Sequence, residues 1–462
     1  MEMEENKTII ENTIAAQKEF FGKGKTRTAE YKIWHLKMLY KSITQHEYDI
    51  ANALYKDLHK SEYEAYITEI GLVKSEIKQQ IKLCKKYAKP RRVCPTLFVV
   101  NAKSQIYYEP YGLTLIVTPW NYPFQLALMP LVGAIAAGNC VVLKLSPDSS
   151  HTNKVIKQIV EEVFNPEYVS AFEGHRDVNT LLFAQPFDHI FLTGSPELGK
   201  IAMEAAAKHL ATVTLELGGK SPCVIDKDAN IEIATKRVAF GKVVNSGQTC
   251  IAPDYIFVHK DVKQKFIEQF KENISTFYGK DIQHNTEYPH IVSDKAMLRL
   301  VNLLSCGDVI YGGTYDKESR FFHPTLIENV PLDSELMQKE IFGPIFPIYT
   351  FDDIDDVICF INSRKKPLAL YYFTENKKRA EKMIRETSSG GVCINDTLMH
   401  IVNHNLPFGG VQNSGLGNYH GEFSYSTFSH QKAVLHTSTT IDFFIKYPPF
   451  GKNRTKWIKK IF

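Results

Sequence analysis

An α/β fold built on parallel sheets is what this sequence predicts, on three observations. Residues 5–88 have a helical texture, with Ile33, Leu36 and Tyr40 at steps of three and four and charges between them. Beyond residue 112, short β-rich runs recur at LTLIVTP (113–119), CVVLKLS (140–146), HIFLTGS (189–195), ATVTLELGG (211–219), SPCVID (221–226), DYIFVH (254–259), FPIYTFD (346–352), LALYYFTE (368–375) and GGVCIND (390–396). Amphipathic stretches such as PELGKIAMEAAAKHL and NKKRAEKMIRET separate most of them. Strand–helix alternation over this length implies parallel sheets, with ligands at the carboxyl ends of the strands.

Composition excludes several classes of function. A chain of 462 residues that is 44% hydrophobic can bury two or three cores. With 55 basic and 51 acidic residues it has no nucleic-acid footprint. Eight scattered cysteines without a C-x-x-C pair argue against a disulfide scaffold and a zinc ribbon. The polar, acidic start MEMEENKTIIEN carries no secretory signal, and no apolar run is long enough to span a membrane. A cytoplasmic protein is expected.

Taken in chain order, PTLFVVNAKSQIYYEPYG (95–112) alternates in the β sense and is expected to be an arm outside both cores. In TPWNYPF, Asn121 lies between proline-restricted segments just past a buried strand, and reads as an amide donor or an ordinary turn asparagine. HIFLTGSPELGK runs strand, Thr193-Gly194-Ser195, then helix. A helix N-terminus of this kind offers free N–H groups to a pyrophosphate, although G-S-P-E-L-G is not the G-x-G-x-x-G spacing. In LELGGK, Glu216 sits at a strand end before two glycines, a base or a plain strand-end carboxylate. In NSGQTCIAPDY, Cys250 is presented among small and amide-bearing residues. A nucleophilic thiol there, with an ordinary pKa of about 8.5, would require help to ionise, donors for an oxyanion, and a base for water.

The segments TPWNYPF, VVLKLS, FLTGSPELGK, LELGGK, NSGQTCIAPDY, EIFGP and LPFGGVQNSGLG together resemble the NAD(P)-dependent aldehyde dehydrogenases, and within them the class 3 group. DLHKSEYEAYITEIG and KYPPF extend the resemblance over nearly the whole chain. It implies a Rossmann-like cofactor domain (1–94 and 113–217), a catalytic domain (218–405), an oligomerisation arm (95–112 and 430–445) and a basic tail (446–462). It further implies that Cys250 attacks an aldehyde, that Asn121 and the Cys250 N–H hold the oxyanion, and that Glu216 activates the water that hydrolyses the thioester. For NAD or NADP it implies Glu340 at the nicotinamide ribose, Phe342 beside the ring, Lys144 at the adenosine ribose, and Gly194, Ser195 and Gly199 in the dinucleotide turn. No metal is implied. A homodimer is.

Departures and rivals bear on these expectations. The family's K-P-S-E segment here reads Lys144-Leu145-Ser146-Pro147-Asp148, with proline in place of the glutamate that bonds the adenosine ribose, so NADP is expected beside NAD. Gln412 stands where the family has glycine, which puts the local backbone in question. His400 and His404 are spaced i, i+4 without the glutamate of H-E-x-x-H, and read as part of an entrance loop. The other cysteines read as packing, Cys223 most clearly. The tail KYPPFGKNRTKWIKKIF carries six basic and no acidic residues, with Trp457, Ile458, Ile461 and Phe462 among them, and reads either as solvated or as touching anionic lipid. A papain-like hydrolase would need a histidine beside Cys250, and no matched segment supplies one. A coenzyme A-acylating relative would lack Glu216. Hydrolytic oxidation of an aldehyde is the reading that keeps every segment.

Overall fold

The computed structural model describes residues 2–442 and 446–459. Residues 443–445 of the second arm segment and 460–462 of the tail, including Ile461 and Phe462, lie outside the described residues.

The strands, in chain order, are β1 (Arg91–Val93), β2 (Ala102–Pro110), β3 (Leu113–Val117), β4 (Cys140–Leu145), β5 (Val169–Glu173), β6 (His189–Gly194), β7 (Thr212–Leu217), β8 (Pro222–Ile225), β9 (Tyr255–His259), β10 (Asp308–Tyr311), β11 (Tyr315–Asp316), β12 (Phe321–Phe322), β13 (Thr325–Glu328), β14 (Ile345–Phe351), β15 (Ala369–Phe373), β16 (Gly391–Ile394), β17 (Gly415–Leu416) and β18 (Ser429–Thr437). One sheet has the order β17-β7-β6-β3-β4-β5, a second β10-β13-β14-β9-β8-β15-β16, and a third β1-β2-β18. The first sheet is parallel except for β17, and the second is parallel except for β10. This is the α/β architecture read from the nine β-rich runs, all of which contain strands.

The helix Gln125–Ala137 is buried along its whole length, as a run with no charge and one amide permits, and it ends at Gly138 with φ 103°. There a Cβ would lie 2.7 Å from the Thr26 carbonyl oxygen. Helices Ala29–Gln45 and Gly71–Tyr87 pack beside it through Leu36, Leu39, Ile43, Val73 and Ile77. Thr28 caps the first of these by accepting from the Tyr31 N–H.

Two expectations need correcting. Within 95–112 only β2 is a strand; Leu97–Val99 is a 3-10 turn, and β2 pairs with the earlier β1 as well as with β18. The second arm segment carries β18, which ends at Thr437. Cys94 and Cys359 are exposed and so do not pack, whereas Cys84, Cys140, Cys223 and Cys393 are buried.

Candidate active site

The first sheet sets up one side of the site. Glu216 is the penultimate residue of β7, in register with Thr193 on one side and Gly415 on the other. Its side chain is 3% exposed and neither carboxylate oxygen has a hydrogen-bond partner. Burial alone pushes its carboxyl well above the ordinary carboxylate range.

Cys250 follows the helix Ile231–Val243 and a tight turn in which Asn245, Ser246 and Gly247 are all left-handed (φ 51°, 52° and 71°). Such backbone costs about 1–3 kcal/mol per non-glycine residue and persists only where the surroundings fix it. Here they do. The Asn245 amide donates to the carbonyls of Asn121 (2.7 Å) and Gln248 (3.0 Å), its backbone N–H donates to Glu64 (2.7 Å), and a Cβ on Gly247 would lie 2.4 Å from the Gly343 carbonyl oxygen. Gln248 donates to the His290 carbonyl (3.0 Å) and accepts from the Val292 N–H (3.0 Å). The Cys250 thiol is pushed up by burial, then by the charges of Glu340 and Glu216; its own N–H and that of Ile251 work the other way, favouring the thiolate.

Asn121 lies in the loop after β3, 2% exposed, its amide donating to the Gln248 carbonyl at 3.0 Å. One amide hydrogen is thereby used and the other left over. Beside it, the Tyr122 and Thr249 hydroxyls meet at 2.6 Å.

EIFGP enters from the second sheet's side. The Asp254 carboxylate accepts from the Ile341 N–H (2.9 Å) and pairs with Lys220, which also donates to the carbonyls of Leu336 (2.8 Å) and Lys339 (2.9 Å). Arg299 donates to the Ile341 carbonyl at 2.6 Å. Phe342, itself left-handed at φ 47°, meets Trp120 edge to face with centroids 5.4 Å apart. The Glu340 carboxylate lies so close to Gly218 that a Cβ there would be 2.1 Å from its Oε2. Burial, and then the Asp254 charge, push the Glu340 carboxyl up to about 8.

The remaining predicted residues form a second cluster along β4 and β6. Ser195 caps the helix Pro196–Ala207 by accepting from the Leu198 N–H, and Glu197 occupies its first turn. Gly199 lets that helix lie on the sheet, since a Cβ would be 3.0 Å from Leu217. Around Gly194 a Cβ would make only ordinary contacts, so packing does not demand glycine there. The Lys144 ammonium is buried and donates to the Leu145 carbonyl (2.8 Å). Burial brings it down to about 8, opposed by the charges of Glu173, Asp177 and Asp148. A capped helix N-terminus, a close helix–sheet approach and a buried cation at the carboxyl ends of parallel strands together fit a dinucleotide.

Comparison with known proteins decides the family. The family model described as "Aldehyde dehydrogenase family" matches residues 3–434. A relative from Staphylococcus aureus, 4,4'-diaponeurosporen-aldehyde dehydrogenase, is 44% identical over 98% of this chain and 99% of its own. The chain belongs to the aldehyde dehydrogenase family. It is also 42% identical to "Aldehyde dehydrogenase, dimeric NADP-preferring" of Canis lupus familiaris, over 95% of this chain and 98% of that one. The solved substrate-bound state of Staphylococcus aureus AldH superposes with a TM-score of 0.95 at 44% identity, covering 98% and 99% of the two chains. An indole-3-acetaldehyde dehydrogenase with NAD+ shares the fold at a TM-score of 0.85 and 21% identity, covering 94% and 89%. This aldehyde dehydrogenase therefore oxidises an aldehyde to the carboxylic acid with NAD or NADP, through a cysteine thiohemiacetal and thioester.

Several residues that build the site went unread in the sequence. Glu64 and Glu69 reach it from an N-terminal helix and Lys60 from the loop before that helix, and Lys220, Asp254 and Arg299 clamp EIFGP. Lys220 and Asp254 lie inside LELGGK and NSGQTCIAPDY, and Lys60, Glu64 and Glu69 inside DLHKSEYEAYITEIG, so the segments were in view while the roles of these charges were not. Gln412 adopts a left-handed backbone (φ 57°), a conformation that glycine takes without strain, and its carbonyl accepts from the Gly415 N–H at 3.2 Å. His400 faces Cys393, with Nδ1 and Sγ 3.1 Å apart.

Proposed function

We propose that Cys250 is the nucleophile, that the spare Asn121 amide hydrogen and the Cys250 N–H hold the oxyanion, and that Glu216 is the base for hydrolysis. The observation that carries this reading is Glu216 itself. A carboxylate buried with no partner costs stability and is kept for chemistry. It lies near enough to Cys250 for its charge to act on the thiol. The Cys250 thiol releases its proton to solvent, the N–H groups of Cys250 and Ile251 favouring the thiolate, and the thiolate adds to the aldehyde carbon to give the thiohemiacetal; loss of hydride, which the nicotinamide cofactor would accept when bound, leaves the thioester. Glu216 then takes a proton from the water that attacks the thioester, which it does only when ionised. Glu340 and Phe342 hold the nicotinamide end, and Lys144, Gly194, Ser195 and Gly199 the adenosine and pyrophosphate. Cys250→Ala is expected to abolish oxidation, and Glu216→Gln to give a burst of reduced cofactor followed by slow turnover. Steady-state rates near wild type for Cys250→Ala would sink the mechanism.

The Pro147 position supports use of NADP beside NAD. It opens the 3-10 turn Pro147–Ser149 and offers a ribose no carboxylate, while a relative is named NADP-preferring. Pro147→Glu is expected to shift the kcat/KM ratio toward NAD by about tenfold or more, roughly 1.4 kcal/mol; an unchanged ratio would remove Pro147 as the selector.

Residues 1–94 and 113–217 are read as the cofactor domain, 218–405 as the catalytic domain, and the arm as the seat of a homodimer in the cytoplasm. The exposed outer residues of β18 and the printed word "dimeric" on a relative support the dimer. Among the described residues no helix is long and apolar enough to cross a membrane. The basic tail, which carries the short helix Lys452–Ile458, would add a weak membrane-surface contact. Light scattering with and without anionic vesicles tests both: a monomeric mass refutes the dimer, and no vesicle binding refutes the contact.

A further inference from the structure

Lys60 and Glu69 are both fully buried and form an ion pair at 2.6 Å. Neither is spent on the other alone. Lys60 Nζ donates to the Asn121 carbonyl at 3.1 Å and lies 3.9 Å from the centroid of the Tyr122 ring. Glu69 Oε2 accepts from the N–H groups of Phe124 (2.9 Å) and Gln125 (3.1 Å). The pair therefore grips the turn carrying Asn121 from both ends, by its carbonyl and by the N–H groups that follow.

Lys60 comes from the loop just before the helix that carries Glu69, and that helix is irregular where it matters. Residues Tyr66–Ile70 form a π turn, closed by the Gly71 N–H donating to the Tyr66 carbonyl. Gly71 is required there, since a Cβ would lie 2.9 Å from that carbonyl oxygen. On an uninterrupted α-helix, residues five apart point roughly 140° from each other; the π turn closes much of that angle between Glu64 and Glu69. Glu64 consequently reaches the backbone of the Cys250 loop at Asn245 while Glu69 reaches the Asn121 turn. Single π turns inside α-helices are frequent at functional sites.

We propose that the buried Lys60–Glu69 pair is a positioning element for catalysis: acting through Asn121, it fixes the amide donor against the Cys250 loop so that the donor meets the oxyanion rather than the ground-state carbonyl. This rests on the reading of Asn121 as the oxyanion donor. A displacement of about 1 Å at such a donor can cost a hundredfold in rate.

The test is a double-mutant cycle of Glu69→Gln with Asn121→Ala, read as kcat/KM for one good aldehyde, with the rate of Cys250 alkylation by iodoacetamide as a second readout. Glu69→Gln is expected to lower kcat/KM by roughly tenfold or more, to cost less than about twofold further once Asn121 is alanine, and to leave alkylation within about twofold of wild type. Losses that multiply in the double variant, or alkylation that falls in step with turnover, would overturn the proposal, because the pair would then be supporting the core at large. Normal turnover by Asn121→Ala alone would overturn the donor reading and the proposal built on it. Where Glu69→Gln does not accumulate folded, the same cycle is run with Glu69→Asp, which keeps the charge and shortens the reach by one methylene.

Discussion

Glu216 and Glu69 are buried to almost the same degree, yet one has no hydrogen-bond partner for either oxygen and the other has three donors. Both stand beside the proposed reaction centre, at the end of a strand and in a helical turn respectively. The difference separates two uses of a buried carboxylate. Glu69 is satisfied, so its charge is part of the architecture. Glu216 is held in a place that penalises its charge and offers nothing in return. Folding alone would not select it.

The comparison can be broken most directly by replacing each glutamate with leucine and measuring denaturant midpoints. Glu69→Leu strands a buried ammonium and two N–H groups and is expected to cost about 3–5 kcal/mol. Glu216→Leu removes an unpartnered charge and is expected to leave stability unchanged or raised while oxidation is lost. Equal losses in the two variants would erase the distinction.

Glu64 is the intermediate case and sharpens it. One of its oxygens accepts from Asn245, and burial raises its carboxyl from 4.5 to about 7. Between those values the folded protein holds a proton that the unfolded chain has released, so this group's contribution to stability falls as pH rises through the window. Glu64→Gln keeps the acceptor and removes the titration. Its stability relative to wild type is therefore expected to climb by up to about 3 kcal/mol from pH 4.5 to 7. A difference that does not change with pH, in melting curves recorded at both ends, would show that Glu64 does not titrate there.

The sequence showed those parts of the molecule whose pattern is local. Hydrophobic runs such as CVVLKLS are strands because both faces of a parallel sheet are covered. Strands β5, β10 and β13 escaped notice because they are short and carry polar residues at their ends. In the proposed site, Glu216 and Cys250 were legible through their glycine-bearing surroundings, and Glu340 only through the resemblance that EIFGP carries. The charges of KSEYEAYITE were not, because on a helix they look like a solvated face. Their partners, Asn121 and Asn245, lie far along the chain. Burial of a charge depends on what arrives from elsewhere, and periodicity does not report that. The exposure of Cys94 and Cys359 has the same origin: a cysteine's type says that it can be buried, and the neighbouring elements decide whether it is.

The first sheet has an edge that its own half of the chain cannot close. Strand β7 pairs on that side with β17, and the Leu217 N–H donates to the Ser414 carbonyl. Strand β2 pairs along its length with β18, and Glu76 accepts from the Gly421 N–H. Each of these partners lies beyond residue 413, so during synthesis they emerge after the whole second sheet. A nascent chain stalled within the second sheet carries an open β7 edge and an arm without β18. Such edges invite pairing with other chains. The residues after 413 thus act as a closing seam, and until they leave the ribosome these edges have no partner within the chain.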